Sequence, residues 1–232
     1  MNREALIVAH GQPSDPAPAE ADLDRLRAAV GALLPAWSVR AATLAAPGVL
    51  DRALEGLRAP VVLPFFMADG WFTRDELPRR LAGAGRTDLI LLPAFGTTEA
   101  ALDLAVRTVD AAVRTNGWAL PRTRLLLAAH GSGRSKAPAL AADRFRQVLS
   151  NRLPLAEVRL GYIEQDPFLQ AAATDMGTPT LCLPLFVANW GHMLHDVPQA
   201  LQAAGFSGPC LAPLGTLAEV PRLIAQSLHA TQ

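Results

Sequence analysis

The sequence predicts an α/β protein built from two tandem copies of one unit, each a parallel sheet covered by helices on both faces. Three observations carry that expectation. Blocks of sequence recur at a fixed shift of 120 positions, which is too long a period for a solenoid and marks a duplicated domain. Continuous apolar runs of strand length alternate with longer segments of helical period. Finally, 50% of the 232 residues are hydrophobic and 18% charged, against roughly 25% charged in an average soluble domain, so buried surface is plentiful.

The repeat is read block by block. Leu6-Ile-Val-Ala-His10-Gly11 returns as Leu126-Leu-Ala-Ala-His130-Gly131, and Ala17-Pro-Ala19 returns as Ala137-Pro-Ala139. Leu63-Pro64-Phe-Phe66 becomes Leu183-Pro184-Leu-Phe186, followed by Pro78 on Pro198 and Pro93 on Pro213. In the first copy the expected strands are Ala5–Ala9, Val39–Leu44, Val61–Phe66 and Leu89–Pro93. Helices are expected over Ala19–Leu33 and Glu99–Val113, the latter with Leu102, Ala105, Val106, Val109 and Val113 on one face. In the second copy strands are expected at Arg124–Ala129, Val158–Ile163, Thr180–Phe186 and Pro209–Ala212. Helices there are expected at Ala139–Leu153, Leu169–Thr174, Asp196–Ala204 and Leu217–Leu228. Apolar strands alternating with amphipathic helices give a parallel sheet with both faces covered. The linker is expected at Thr115–Arg122, with turn chemistry at Asn-Gly and a helix stop at proline. The domains are therefore 1–118 and 119–232.

Composition also excludes. Lys+Arg and Asp+Glu tie at 21 each, which argues against a nucleic-acid partner. No run reaches the ~18–20 apolar residues of a membrane helix, and Met1-Asn-Arg-Glu leads into too short an apolar stretch for an export leader. Cys182 and Cys210 lie in apolar segments without paired spacing, so the expected compartment is the cytoplasm.

In open α/β sheets ligands sit beyond the carboxyl ends of the strands, and a cleft between two such units is the expected place. His10 and His130 each follow a first strand and precede a glycine that frees the turn. Each reads equally as a turn residue or a functional one. Glu164 ends the second strand of the second copy, and His192 follows Gly191 in the loop after the third. Together with His130 they offer two imidazoles and a carboxylate on one rim. That set suits a divalent Co, Fe, Ni or Zn ion and supplies bases near neutral pH. His195 and Asp196 read as solvated polarity at a helix start. At the shift of 120, Glu164 falls on Leu44 and His192 on Phe72, so a single site in the second copy is expected. His10 is then a remnant, a structural residue or a contributor from the other side. Neither a phosphate-binding glycine loop nor a nucleophile elbow is present.

At these residues the sequence resembles the sirohydrochlorin chelatases of the CbiX type. The matching blocks are Ala129–Ser132, Tyr162–Pro167 and Leu183–Pro198, in order, within a duplicated chain. The resemblance implies two flavodoxin-like three-layer domains around a cleft for a planar tetrapyrrole. It implies insertion of Co²⁺, Fe²⁺ or Ni²⁺ into sirohydrochlorin with release of two protons, in cobalamin or sirohaem biosynthesis. The metal is substrate, and no permanent cofactor is expected. His130 and His192 would bind the ion and accept pyrrole protons, with Glu164 as carboxylate ligand or proton acceptor. Arg134, Lys136 and Arg74 are candidates for meeting the substrate's carboxylates. Phe66, Trp71, Phe72, Phe186 and Trp190 are candidates for stacking its ring, each reading equally as core. A monomer is expected, with a homodimer as the alternative. The competing readings are a chelatase for another ring, a non-catalytic metal or tetrapyrrole carrier, and a nucleotide binder.

Overall fold

The computed structural model describes residues 3–231; Met1 and Asn2, used in the leader reading, and Gln232 lie outside them. The first copy contributes β1 (Arg3–Ala9), α1 (Pro16–Leu33), β2 (Trp37–Thr43), α2 (Val49–Leu54), β3 (Val61–Pro64), α3 (Leu77–Gly83), β4 (Ile90–Leu91) and α4 (Glu99–Thr115). The second contributes β5 (Arg124–Ala129), α5 (Ala137–Arg152), β6 (Glu157–Tyr162), α6 (Leu169–Ala173), β7 (Thr180–Pro184), α7 (Gly191–Leu194), α8 (Asp196–Ala203) and α9 (Val220–His229). Proline occupies one of the first two positions of α1, α3, α5 and α9, where its missing N–H costs nothing.

Two parallel sheets form, ordered β2-β1-β3-β4 and β6-β5-β7. The first strand of each copy is central, with Ile7 opposite both Ala41 and Leu63, and Leu127 opposite both Leu160 and Leu183. That explains why Ala5–Ala9 and Leu125–Ala128 are fully buried. Each such leucine or isoleucine contributes about 1.5–3 kcal/mol by leaving water. Side chains alternate across the sheet. Leu6 and Val8 meet α2 and α3 in a cluster with Leu44, Leu50, Leu77 and Leu81. Leu126 and Ala128 likewise meet α6 and α8.

The chain divides into two compact units, the described residues of Met1–Thr98 with Ala218–Gln232, and Glu99–Leu217. In the first, α9 lies against α1 and β3; in the second, α4 lies against α5 and β7. Each compact unit takes the final helix of the opposite copy. The apolar faces of α4 and α9, with Val109 and Ile224 at full burial, need only a sheet of the right shape. The two copies present sheets that share the order of their first three strands. The linker segment continues α4 into a turn at Gly117 (φ 67°) and a short 3₁₀ turn at Leu120–Arg122.

Three expectations differ locally. Pro209–Ala212 forms no strand; Cys182 and Cys210 pair as an isolated bridge, because proline removes a ladder donor. Helices α2 and α3 are additions, each too short to show a period. The match of Pro93 with Pro213 slips by one: the 3₁₀ turns Phe95–Thr97 and Leu214–Thr216 stand 119 apart, with Pro213 in the place of Ala94. The glycines decide that register. A Cβ on Gly96 would sit 2.3 Å from the Met67 carbonyl oxygen and one on Gly215 2.4 Å from that of Val187. Among the described residues no helix is long and apolar enough to cross a membrane.

Candidate metal centre

The order β6-β5-β7 places the topological switch between β5 and β7, where doubly wound sheets bind ligands. His130 leaves the end of β5, and Gly131 turns the chain at φ 73°. The backbone N–H of Glu164 donates to the His130 carbonyl at 2.9 Å, fixing the carboxylate-bearing turn after β6 beside it. His192 comes from the other side of the switch, on α7, whose buried Met193 anchors that turn.

These elements bring His130, Glu164 and His192 together, with one ligand atom from each all within 4.8 Å of one another. The two imidazoles meet edge-on at 89°, with their Nε2 atoms 3.0 Å apart. His130 Nδ1 lies 3.0 Å from the Gly131 carbonyl oxygen and 3.8 Å from Glu164 Oε2. His192 Nδ1 lies 2.8 Å from Asp196 Oδ2. Carbonyl and carboxylate oxygens only accept, so the tautomer protonated on Nδ1 satisfies both contacts and leaves Nε2 of each ring for a cation. Two ring nitrogens 3.0 Å apart can share one proton or turn together to a metal ion. The arrangement is built for positive charge. Glu164 is exposed and the two histidines are half-buried, so a ligand reaches them from solvent.

The first copy is a natural control. His10 Nδ1 keeps the same contact, 2.9 Å from the Gly11 carbonyl. The ring opposite is now Phe72, 4.3 Å away between centroids, in turn stacked on Phe66. Leu44, in the place of Glu164, is buried in the core. His10 therefore has an aromatic ring where His130 has an imidazole.

The other expected residues are scattered. Arg134 and Lys136 are exposed in the loop after His130, and neither makes an ion pair among the described residues. Arg74 is engaged by Asp69 at 2.9 Å. Phe186 packs against the core cluster beneath α6 and α8; Trp190 is half-buried just before α7, and Trp71 is exposed. His195 is exposed just ahead of α8 and makes no part of the cluster. Two features escape a sequence reading. Asp196 does more than start a helix, since its carboxylate engages His192. Leu140, Phe168 and Leu194 are large, exposed apolar side chains on the three segments that follow β5, β6 and β7.

Comparison with known proteins agrees with this architecture. A family model for CbiX matches residues 124–231. The solved structure of CbiX, the terminal enzyme for biosynthesis of siroheme in denitrifying bacteria, is 47% identical. It covers 99% of this chain and 100% of its own, with a TM-score of 0.91. The chain belongs to the CbiX family. SirB from Bacillus subtilis with Fe³⁺ shares the fold at 14% identity and TM-score 0.77, over 100% of this chain and 96% of its own. The sirohydrochlorin chelatase SirB from Bacillus subtilis subspecies spizizenii in complex with cobalt shares it at 15% and 0.69, over 100% and 95%. A search of curated proteins finds no match. Within the CbiX-type fold, the cluster at the switch point stands in the segment that the family model covers.

Proposed function

We propose that this CbiX-family protein is a sirohydrochlorin chelatase, inserting Co²⁺ or Fe²⁺ into the tetrapyrrole with loss of the two pyrrole protons. The observation that carries this reading is the clustering of His130, His192 and Glu164, with one ligand atom from each within 4.8 Å of the others and the two Nε2 atoms 3.0 Å apart. Support comes from the 47% identical CbiX of siroheme biosynthesis and from the cobalt and Fe³⁺ held by the SirB structures.

The reaction balances as one divalent ion entering, two N–H bonds breaking and two protons leaving. His130 and His192 hold the incoming ion through Nε2, and Glu164 supplies the oxygen donor. Such a mixed N/O set binds first-row ions without the grip of thiolates, so the ion passes on to four ring nitrogens. As it leaves, the Nε2 atoms accept the ring protons, and exposed Glu164 relays them to solvent. Arg134 and Lys136 face the substrate's carboxylates. Leu140, Phe168, Leu194 and Trp190 give the ring apolar support. Copy 1–118 keeps the scaffold and copy 119–232 the chemistry, in a cytoplasmic monomer.

The test is anaerobic absorbance of sirohydrochlorin with Co²⁺ or Fe²⁺ and catalytic protein. Conversion should be lost in His130→Ala and in His192→Ala, and kept in His10→Ala. Stoichiometric tetrapyrrole binding without turnover would leave a carrier.

A further inference from the structure

We infer that Asp196 is a positioning residue that locks His192 in the tautomer and ring orientation that aim its Nε2 at the metal. The inference rests on the chelatase reading for its purpose, but its geometry stands independently. Asp196 Oδ2 is 2.8 Å from His192 Nδ1, one helical turn away in sequence. A carboxylate on the far nitrogen of a metal-binding imidazole fixes which nitrogen holds the proton and makes the other a better donor. Without that partner, α7 is only Gly191–Leu194, and nothing else among the described residues bonds the His192 ring except His130.

The first copy shows what happens where the histidine is absent. Position 76, the counterpart of 196, still bears a carboxylate, but buried Glu76 turns to Arg79 at 2.8 Å and Arg80 at 2.6 Å. Arg80 also donates to the Leu44 carbonyl oxygen at 2.8 Å. The second copy has Gln199 and Ala200 at these two positions, so no cation competes for Asp196. A helix-start acid alone would need no such clearance.

Long-range ¹H–¹⁵N spectra of the imidazoles, taken at about pH 8.5 where an ordinary imidazole is neutral, read the tautomer without metal or substrate. Wild type should show His192 protonated on Nδ1, and Asp196→Ala a mixture. Co²⁺ titration of the protein alone should weaken about 10–100-fold in Asp196→Ala. Asp196→Asn keeps the shape and serves if the alanine variant misfolds; its amide can donate to Nδ1 and should shift the proton to Nε2. In turnover the loss should appear as a raised KM for metal, with Asp196→Glu restoring part of it. An Nε2-protonated His192 in wild type, or unchanged spectra and Co²⁺ affinity in both variants, would overturn the inference. Wild type that binds Co²⁺ through an Asp196-dependent site yet inserts no metal would instead refute the chelatase reading alone.

Discussion

Replacing Gly131 with alanine tests whether the turn behind His130 is as tight as its geometry implies. The residue has φ +73°, and an added Cβ would lie 2.6 Å from Gln165 Cγ and 2.9 Å from Tyr162 Cβ. Left-handed backbone costs an L-residue about 1–2 kcal/mol. The overlap adds about 1–3 kcal/mol, typical of overpacking, because Tyr162 is buried in β6 and both blocking atoms sit close to the backbone. Gly205 provides the reference, with φ +65° and nothing within 4 Å of its Cβ. Gly205→Ala should therefore cost only the backbone share, leaving Gly131→Ala less stable by about 1–3 kcal/mol. Urea unfolding of both variants, with unchanged m, measures that difference. Gln165 accepts from the Ser132 N–H at 2.8 Å and adjoins Glu164, so the same substitution should also weaken Co²⁺ binding. Equal destabilisation of the two variants would refute the argument, since backbone strain would then be the whole effect.

Three further outcomes are expected. Cys182 holds the Cys210 thiol below the usual range by a hydrogen bond, against an opposing effect of burial, while the same pairing and its own burial push Cys182 well up; iodoacetamide should label Cys210 first, and equal labelling rates by mass spectrometry would count against this. Arg79 and then Arg80 hold Glu76 below its ordinary 4.5, so its contribution is complete above that pH and disappears as pH falls through the lower folded value; Glu76→Gln should widen the melting-temperature gap above about pH 5 and close it in acid, and a gap constant with pH would disprove it. Grafting Leu44→Glu and Phe72→His into the first copy should still leave one Co²⁺ per chain in an equilibrium titration, because Glu76 stays with its arginines; adding Arg79→Gln and Arg80→Ala should create a second.

The central strands were legible because β1 and β5 are buried on both faces, which forces unbroken apolar runs that a duplicated chain displays twice. Helices α2 and α3 were not, and at six and seven residues they show no period, although the five-residue α6 falls within an expected helix. The placement of α4 and α9 depends on which of two similar sheets each covers, a choice no local pattern encodes. In the candidate site, His130, Glu164 and His192 could be read as three strand ends of one parallel sheet, and the structure brings them together. Asp196 does stand in the first turn of α8, and its contact with His192 lies beyond what that place implies. An acid in the first turn of a helix already has a sufficient explanation in the helix dipole, and only the 2.8 Å contact across the preceding turn reveals its second partner.

The divergence of the two copies follows from the cost of keeping such a site. Among the described residues no buried side-chain nitrogen or oxygen lacks a partner, yet His130 and His192 turn two basic ring nitrogens toward each other at 3.0 Å. A folded chain tolerates that only where function requires it. After duplication, a second set would carry the same penalty, and relief is available by simple replacement. Leu44 turns the position of a carboxylate into core, and Phe72 gives His10 an edge-on apolar neighbour in place of an imidazole. Once the histidine is gone, the carboxylate of Glu76 has no ring to orient, and arginines one turn on can take it. Each replacement stabilises the unit while making the return of the histidine less useful. The retained Asp196–His192 pair and the diverted Glu76–arginine cluster are thus two ends of one physical choice, between holding a cation for chemistry and sealing a core.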